Sequence, residues 1–571
     1  MGTFQSNKCF NRHGEIRTSA DNDIVDVWGN ILGSPQFDSN KIVDMFGNLG
    51  KLASSGPWEI QKGTVETVGT DLSHNILNYV TPITGYAATG CTGYVDGVIS
   101  GAGAWILQSS PQTIGGVSYI GFGLLIATAN NTHTLTTMQT NTKLQLGADL
   151  NALTGTVRDV TLSTGAVLDI FGANTTRFNK VFVVTNNGGV VNWKSTGVCG
   201  EGILGNNGNY NNGTGITNVD DCMWALGTSM SGSGTINILE GGTFFNNGIQ
   251  TVSGSNKFNI NGCGWCNAAG VKQGAISINA NTTFTQAINV QSSACIKTHT
   301  NSNAIFSGLI TGSAPLTVGN LGTPVNGNSQ FTNNGNTYSG TIKVDGTRLS
   351  LSVTAMQYAT VNPVNGGYVS LNSATFKSLF GSDPTTYVIG SGNSVIAANG
   401  VTQFDGRLLW NGTLHNIYLN GGSANVLTLT AKGNTASMYP RNGSKLILQG
   451  ATFTQGTDSQ IRVSNGSTIS AGTSTDAECT VLWLDATSRF EVRAVGTGCG
   501  LLTLNATPNF QPGWKVDLPD AMAAGVYTII KNNAGASNTL PTIGINNTGR
   551  TVTGFSWNNA VSPKTLRVTL V

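Results

Sequence analysis

The sequence predicts an all-β protein: an elongated, right-handed parallel β-helix with a distinct N-terminal docking region and a C-terminal β cap. Charged residues make up only 10% of the chain, against about 25% in average soluble domains. Long surface helices with charged faces are therefore not expected. Gly supplies 76 of the 571 residues, and hydrophobic residues still reach 39%. This composition favours many short strands and turns around an apolar core.

Short runs in which apolar and polar residues alternate recur at roughly twenty-residue intervals from about residue 140. Examples are residues 143–146, 235–239 and 426–429. One coil cannot bury its inward side chains alone, so the next coil must cover them. Asn is expected to stack in ladders at the corners between strands. A β-sandwich is the competing fold, since short strands separated by turns suit it too.

The first sixty residues differ from this pattern. They carry a duplicated motif, Ile-Val-Asp-Val-Trp-Gly-Asn at 24–30 and Ile-Val-Asp-Met-Phe-Gly-Asn at 42–48. The two equivalent copies of this motif predict that residues 1–60 dock onto a partner. The alternative is that residues 1–60 form a small cap for the solenoid. The residues expected to make the docking contact are Asp26, Trp28, Asp44 and Phe46.

The most informative stretch is residues 331–352. Thr-Ile-Lys-Val at 341–344 and Arg-Leu-Ser-Leu at 348–351 flank an Asp-Gly turn signal. Together with Ser-Gly-Leu-Ile-Thr-Gly at 307–312, this stretch resembles the autotransporter-associated β-strand repeat of surface β-helices. The resemblance implies a fold that is built by stacking similar units.

The remaining regions follow from this pattern. Residues 61–140 are expected to form the first coils or a small β module, and residues 141–500 the parallel β-helix. Residues 501–571 are expected to form the C-terminal β cap, because Ala-Gly-Val-Tyr-Thr-Ile-Ile-Lys at 524–531 resembles the closing module of such repeat proteins. A cap of this kind covers the exposed end of a solenoid.

Charge and targeting signals exclude several classes of protein. The net charge is +2 without a Lys/Arg cluster, so we expect no nucleic-acid partner. We also expect no membrane insertion, since no apolar run reaches the roughly eighteen residues that a spanning helix needs. Residues 1–17 lack the apolar core of a secretory signal. Nine scattered Cys favour free, mostly buried thiols and cytoplasmic synthesis over a disulfide framework.

The main part of the chain is typical of surface adhesins, but an export signal is not found. A viral structural protein would combine these two features, because it folds in the host cytoplasm. We therefore expect a bacteriophage fibre or tailspike-like protein of the virion, without a cofactor. It is expected to attach to other virion proteins through its N-terminal region and to bind host surface polysaccharide. A homotrimer is expected by analogy with viral fibres. The alternatives are a depolymerase tailspike with glycosidase activity, and a passenger fragment of an adhesin on the bacterial cell surface.

Catalytic candidates are few. Asp221 and Glu240 lie about one coil apart in sequence, and stacked carboxylates about 5 Å apart suit a retaining glycosidase. Solvated turn acids are the alternative. No metal site is predicted: Cys263 and Cys266 have ligand spacing, but a site would also need Cys295 and His299 to converge on them.

Glycan binding requires aromatic rings that stack on sugar faces and polar groups that hydrogen-bond to hydroxyls. Packing in the interior is the alternative role for such rings. The predicted glycan-binding residues are Trp193, Tyr210, Trp224 and Trp410.

Overall fold

The computed structural model describes most of residues 104–571 and, before residue 104, only the backbone of short strands. Within 104–571 the residues that it does not describe are 108, 110–111, 115–116, 120–122, 128–130, 148–158, 173–177, 181–182, 207, 249–250, 320–326, 353, 398–399, 455–458, 475, 536–538 and 561. These described parts contain strands and turns but no helix. They belong to two compact units, Met1–Lys297 and Thr298–Val571. In both units the strands stack in parallel coils, which confirms the predicted β-solenoid.

The first unit contains three long parallel columns and several smaller pairings. Column I comprises Lys41–Val43, Glu66–Val68, Ile83–Tyr86, Trp105–Leu107, Thr136–Met138, Val160–Leu162, Val184–Asn186, Tyr210–Asn211 and Met230–Ser231. Column II comprises Asp71–Leu72, Thr92–Val95, Leu124–Ala127, Lys143–Leu146, Val167–Phe171, Val190–Lys194, Ile216–Asp220, Thr235–Ile238, Lys257–Gly262 and Ala287–Thr298. Column III comprises Phe178–Lys180, Ile203–Asn206, Met223–Leu226, Thr243–Asn246 and Ile276–Ile278.

The smaller pairings of this unit are of two kinds. The parallel ones join Trp58–Ile60, Ile76–Asn78 and Ile99–Gly101, and Thr251–Val252 with Thr282–Phe284. The antiparallel ones join Cys9–Phe10 with Ile16–Arg17, Ile24–Val25 with Ile31–Gly33, and Gln112–Ile114 with Val117–Tyr119.

The second unit contains further parallel columns, and its longest strands bend and contribute to two of them. Column IV comprises Asn303–Phe306, Asn328–Phe331, Arg348–Ser352, Tyr368–Asn372, Tyr387–Ile396 and Arg407–Leu419. Column V comprises Leu316–Gly319, Thr341–Asp345, Met356–Val364 and Thr375–Leu379. Column VI comprises Thr375–Leu379, Tyr387–Ile396, Arg407–Leu419, Ser437–Pro440, Gln460–Val463, Val481–Leu484 and Asn509–Phe510.

Two more columns complete the second unit. Column VII comprises Gly400–Phe404, Asn425–Leu429, Lys445–Leu448, Thr468–Ser470, Arg489–Glu491, Lys515–Leu518 and Thr542–Asn546. Column VIII comprises Thr452–Phe453, Ala477–Cys479, Leu502–Leu504 and Gly525–Asn532. The remaining strands are Ile310–Gly312 and the antiparallel pair Ala494–Val495 and Gly498–Cys499.

The chain ends in the predicted β cap. Gly525–Asn532 pairs in parallel with Leu502–Leu504, but on its other edge it pairs antiparallel with Lys564–Leu570. Val552–Asn558 then pairs antiparallel with Lys564–Leu570. This change from parallel to antiparallel pairing ends column VIII, because no further coil stacks on it.

The core consists of inward side chains stacked in register. In column II the row of inward side chains from Leu144 to Ile288 is buried, with at most 1% of each residue exposed. This row consists of Leu144, Leu168, Val191, Thr217, Ile236, Phe258 and Ile288. The neighbouring outward positions are partly exposed. The alternation seen in the sequence therefore reflects burial between coils, as the solenoid requires.

The corners use residues that tolerate positive φ. Asn442 and Asn465 have φ of 58° and 52°, and each is followed by a Gly with positive φ. The Asn442 amide donates to Asn420 Oδ1 at 2.6 Å, and the Asn465 amide donates to Asn442 Oδ1 at 3.4 Å. Asn is among the few side-chain-bearing residues that adopt this conformation readily. The prediction of Asn ladders at corners is confirmed here.

The longest Asn ladder lies elsewhere, on the outward face of column II. In it each side-chain amide donates to the side-chain oxygen of the preceding coil, over distances from 2.5 to 3.2 Å. The ladder starts from a carboxylate and consists of Asp169, Asn192, Asn218, Asn237, Asn259 and Asn289. An amide suits a middle position because it both donates and accepts.

The ladder gives a first testable prediction. Asn218→Asp removes the donor to Asn192 Oδ1 and turns two acceptors toward each other, while the bond from Asn237 remains possible. We expect the free energy of unfolding to fall by about 1–3 kcal/mol, the cost of a partly buried unpaired polar group. Chemical denaturation measures it.

The control variant is Asn279→Asp, which makes the same chemical change at an exposed position of the same unit. It should alter stability by less than about 0.5 kcal/mol. Equal effects of the two variants would show that the ladder does not contribute to stability.

Candidate functional site

Three of the four predicted glycan-binding residues are buried in the first unit. Trp193 and Trp224 are 0% exposed and Tyr210 is 1% exposed. The two indole rings stack with their centroids 5.5 Å apart, and the Tyr210 ring meets Trp224 edge-on at 4.8 Å. Burial raises the pKa of the Tyr210 hydroxyl, which hydrogen-bonds to Thr217 Oγ1 at 2.7 Å. The prediction is wrong for these residues, since no sugar reaches them.

The sequence did contain a signal for this burial. Trp193 lies two residues after Val191, and side chains two apart on a strand share a face. Val191 belongs to the buried row of column II, so Trp193 points inward with it. Trp410, in contrast, is only partly buried, and its backbone N–H donates to Thr435 Oγ1 at 3.1 Å. Trp410 therefore stays a candidate.

The predicted carboxylates lie at successive corners of the first unit. Asp221 has φ of 50°, and a Cβ added to Gly241 would lie 1.9 Å from its Oδ1. Glu240 is exposed, and its backbone rather than its carboxylate lies closest to Gly262 of the following coil. Asp220, the neighbour of Asp221, has a pKa raised by burial and then by the charge of Asp221. A carboxyl group with a raised pKa beside a second carboxyl group is an arrangement that acid–base catalysis uses.

Two disulfides lie next to these corners. Cys199 pairs with Cys266 and Cys263 pairs with Cys295, with Cα–Cα distances of 4.8 and 4.6 Å. The prediction of free thiols is wrong for these four residues. Their separations of 67 and 32 residues in sequence do not reveal the pairing, because stacked coils bring distant residues together.

The bridges hold a loop that leaves the stack after Gly262. Trp265 is buried in this loop, and its indole N–H donates to the carbonyl of Glu201. The backbone N–H of Gly200 donates to the carbonyl of Cys266 at 2.8 Å. Three cysteines, Cys222, Cys479 and Cys499, are free and buried. Burial raises the pKa of each thiol, which disfavours the reactive thiolate.

The second unit carries a surface groove that the sequence did not reveal. Its volume is about 200 Å³, and it lies on the outward face of column IV. Amides, hydroxyls and one guanidinium line it, from Gln330, Arg348, Ser350, Ser370 and Asn372. Arg348 Nη2 donates to Ser370 Oγ at 3.2 Å, whereas the buried Nε of the same group has no hydrogen-bond partner.

Stacked tyrosines continue the same row of residues. Arg348, Tyr368, Tyr387 and Arg407 occupy equivalent positions on successive strands. The Tyr368 and Tyr387 rings stack with centroids 4.6 Å apart and an interplanar angle of 12°, and the Arg348 guanidinium lies 5.9 Å from the Tyr368 ring. Partial burial raises the pKa of Tyr387, as does Tyr368 to a smaller extent. We name this row, together with the groove, the column IV face.

Column VI carries a second outward row of this kind. The Tyr418 and Tyr439 rings lie 5.0 Å apart, and the Arg441 guanidinium lies 4.2 Å from the Tyr418 ring. Arg462 lies 3.4 Å from the Trp483 ring. These guanidiniums are in close contact with rings, so we interpret the row as cation–π packing between coils.

The remaining predictions concern docking, metals and membranes. Asp26, Trp28, Asp44 and Phe46 lie outside the described residues. Among the residues that the structure describes, no group of three or more His, Cys, Asp or Glu side chains is placed to hold a metal ion. In the same part of the chain we find no helix with the length and apolarity to cross a membrane.

No protein-family model matches this chain, and no curated protein is significantly similar to it in sequence. Its function must therefore be inferred from the chemistry of the described surface.

The disulfides give a second testable prediction. The double variant Cys199→Ser/Cys266→Ser should lose about 2–5 kcal/mol of unfolding free energy, because the bridge restricts the unfolded chain. Chemical denaturation without reductant measures this loss. Peptide mapping of the non-reduced wild type should find Cys199 joined to Cys266.

Reductant supplies the control for this measurement. With reductant the wild type loses the same bridge, so its stability should approach that of the double variant. A deficit of equal size with and without reductant would contradict the assignment and indicate a packing defect instead.

Proposed function

We propose that this protein is a structural fibre or tailspike-like component of a bacteriophage virion that binds surface polysaccharide of the host bacterium. The observation that carries the proposal is the column IV face, where a hydroxyl- and amide-lined groove lies beside stacked Tyr rings and an incompletely bonded Arg. Sugars are recognised by such a combination of polar groups and rings.

The scaffold supports this proposal. In a solenoid each coil contacts only its neighbours, so a surface row extends over several coils and fits an extended polymer. In-register strands about 4.8 Å apart place Arg348 and Arg407 on coils about 14 Å apart. The two disulfides in the first unit support a working location outside a reducing cytoplasm.

Two further parts of the proposal rest on the sequence and on analogy. The duplicated motif in residues 1–60 supports attachment to another virion protein. Homotrimerisation rests on the analogy with viral fibres. The alternative of an adhesin passenger on a bacterial surface predicts the same polysaccharide contact without virion assembly.

Binding and assembly give the third testable prediction. The full chain should bind at least one member of a panel of purified bacterial capsular and O-antigen polysaccharides, as measured by biolayer interferometry. Deleting residues 1–60 should abolish incorporation into particles and leave polysaccharide binding intact. Failure to bind any polysaccharide of the panel would overturn the proposed function. Polysaccharide binding by a chain whose residues 1–60 have no role in particle assembly would favour the alternative of an adhesin passenger.

A depolymerase is the second candidate, and the raised pKa of Asp220 beside Asp221 favours it. If the chain cleaves the polysaccharide that it binds, Asp220→Asn, Asp221→Asn and Glu240→Gln should each lower the rate by about 100-fold or more, the range for loss of an acid–base group. A reducing-end assay measures cleavage.

Asp476→Asn is the control for this fourth prediction, because it removes an exposed carboxylate whose nearest cation, Lys432, lies 4.0 Å away. It should leave the rate unchanged. Normal cleavage by all three corner variants would exclude this site, and binding without cleavage would leave the fibre as the better description.

A further inference from the structure

The Arg348 guanidinium is only partly hydrogen-bonded within the column IV face. Its Nη2 donates to Ser370 Oγ, but its Nε is buried without a hydrogen-bond partner. None of the ion pairs between described residues involves Arg348. Leaving a buried donor of a charged group unsatisfied costs free energy, so such a group needs an explanation.

The acids of this region already have other partners. Asp345 pairs with Lys343 at 3.1 Å and accepts from the Asn365 amide at 2.7 Å. Asp383 accepts from the backbone N–H and the hydroxyl of Thr385, at 2.9 and 2.6 Å. Hydrogen bonds from Thr385 and nearby backbone N–H groups lower the pKa of Asp383, despite the opposing effect of its burial. Neither acid is an ion-pair partner of Arg348.

The groups around Arg348 match a sugar ring that carries an acid. Ser370 accepts from Arg348 and so keeps its own hydroxyl proton to donate. Ser350 donates to Asn328 Oδ1 at 2.9 Å and keeps lone pairs to accept. Both line the groove with the amides of Gln330 and Asn372. A guanidinium binds a carboxylate in two parallel hydrogen bonds, a geometry that a lysine does not reproduce.

We propose that the column IV face binds an acidic polysaccharide, with the carboxylate of a uronic acid on Arg348 and the sugar hydroxyls on Ser350, Ser370, Gln330 and Asn372. This inference rests on the proposed polysaccharide-binding function and specifies its ligand class. A neutral sugar lacks the charged pair of acceptor oxygens that a guanidinium binds most strongly. Arg407, exposed at the far end of the row, adds a second cation for the next acidic residue of the polymer.

The second cation–aromatic row also contains a buried Nε without a hydrogen-bond partner, that of Arg441, but this guanidinium lies 4.2 Å from the Tyr418 ring. In column VI, Arg462 lies 3.4 Å from the Trp483 ring and 5.9 Å from the Tyr439 ring. Its guanidinium therefore lies against aromatic rings. The two rows therefore differ in what surrounds the guanidinium, which is aromatic rings in column VI and the hydroxyls and amides of the groove in column IV.

The test compares an acidic polymer with its neutral counterpart. The probes are oligogalacturonate and the same oligomer after its carboxyl groups have been reduced to alcohols. They are measured on the full chain by calorimetry, next to the polysaccharide panel. We expect Arg348→Gln to weaken oligogalacturonate binding about tenfold to hundredfold, as for a lost hydrogen bond to a charged group.

Two further variants separate charge from geometry. Arg348→Lys keeps the charge but loses the paired donors, so it should recover only part of the affinity. Arg550→Gln removes an exposed cation away from the groove and should have no effect. Thermal unfolding of each variant verifies that it is folded.

The outcomes distinguish the two proposals. Preference for the acidic oligomer, lost in Arg348→Gln and partly kept in Arg348→Lys, supports the inference. The inference is overturned if the acidic and reduced oligomers bind equally, or if a folded Arg348→Gln variant binds as the wild type does. In either case, binding to the polysaccharide panel still supports the proposed function. Binding of the wild type to no polysaccharide at all overturns both proposals.

Discussion

In-register stacking of the coils is the constraint on which the rest of this structure depends. Each outward side chain lies about 4.8 Å from its equivalent on the next coil. Two like charges at that spacing repel by about 3 kcal/mol at an effective dielectric constant of 20. An amide instead donates to one neighbour and accepts from the other, which explains the Asn ladder on column II. Some charges are paired with an opposite charge on a neighbouring coil, as in the bidentate pair of Arg489 with Asp517 at 2.5 and 2.6 Å. The low charge content of the chain therefore follows from its fold.

Much of the fold can be predicted from the sequence because in-register stacking leaves a pattern of alternating residues. Alternation predicted the strands around residues 341–351 and their buried rows, because burial between coils acts on every second residue. Stacking partners are harder to predict, since loops of variable length change the register from coil to coil. The Cys199–Cys266 bridge spans 67 residues, and no local signal marks that pairing. Trp193 was predicted to bind glycan, with interior packing as the alternative, and its position two residues after the buried Val191 places it inside. The groove at Arg348 depends on side chains from three strands, so it appears only once the register is known.

The two cation–aromatic rows show that the same residue types can pack between coils in one column and line a groove in another. In column VI every ring has a guanidinium or a second ring close to it. In column IV the Arg348 guanidinium is 5.9 Å from the Tyr368 ring, and its Nη2 donates to the Ser370 hydroxyl in the groove. A rigid β scaffold holds that donor in place before a ligand arrives. Fewer side chains must then be ordered on binding, which favours affinity.

The disulfides lie where the stack itself gives least support. Both involve the loop that leaves column II after Gly262, and its contacts with residues 199–201 are hydrogen bonds outside the parallel columns. The coils on either side are held by buried rows and ladders that need no oxidation. The packing of these coils therefore does not depend on the bridges. Free Cys222 lies fully buried beside this loop. Burial raises the pKa of its thiol and so limits exchange with the bridges.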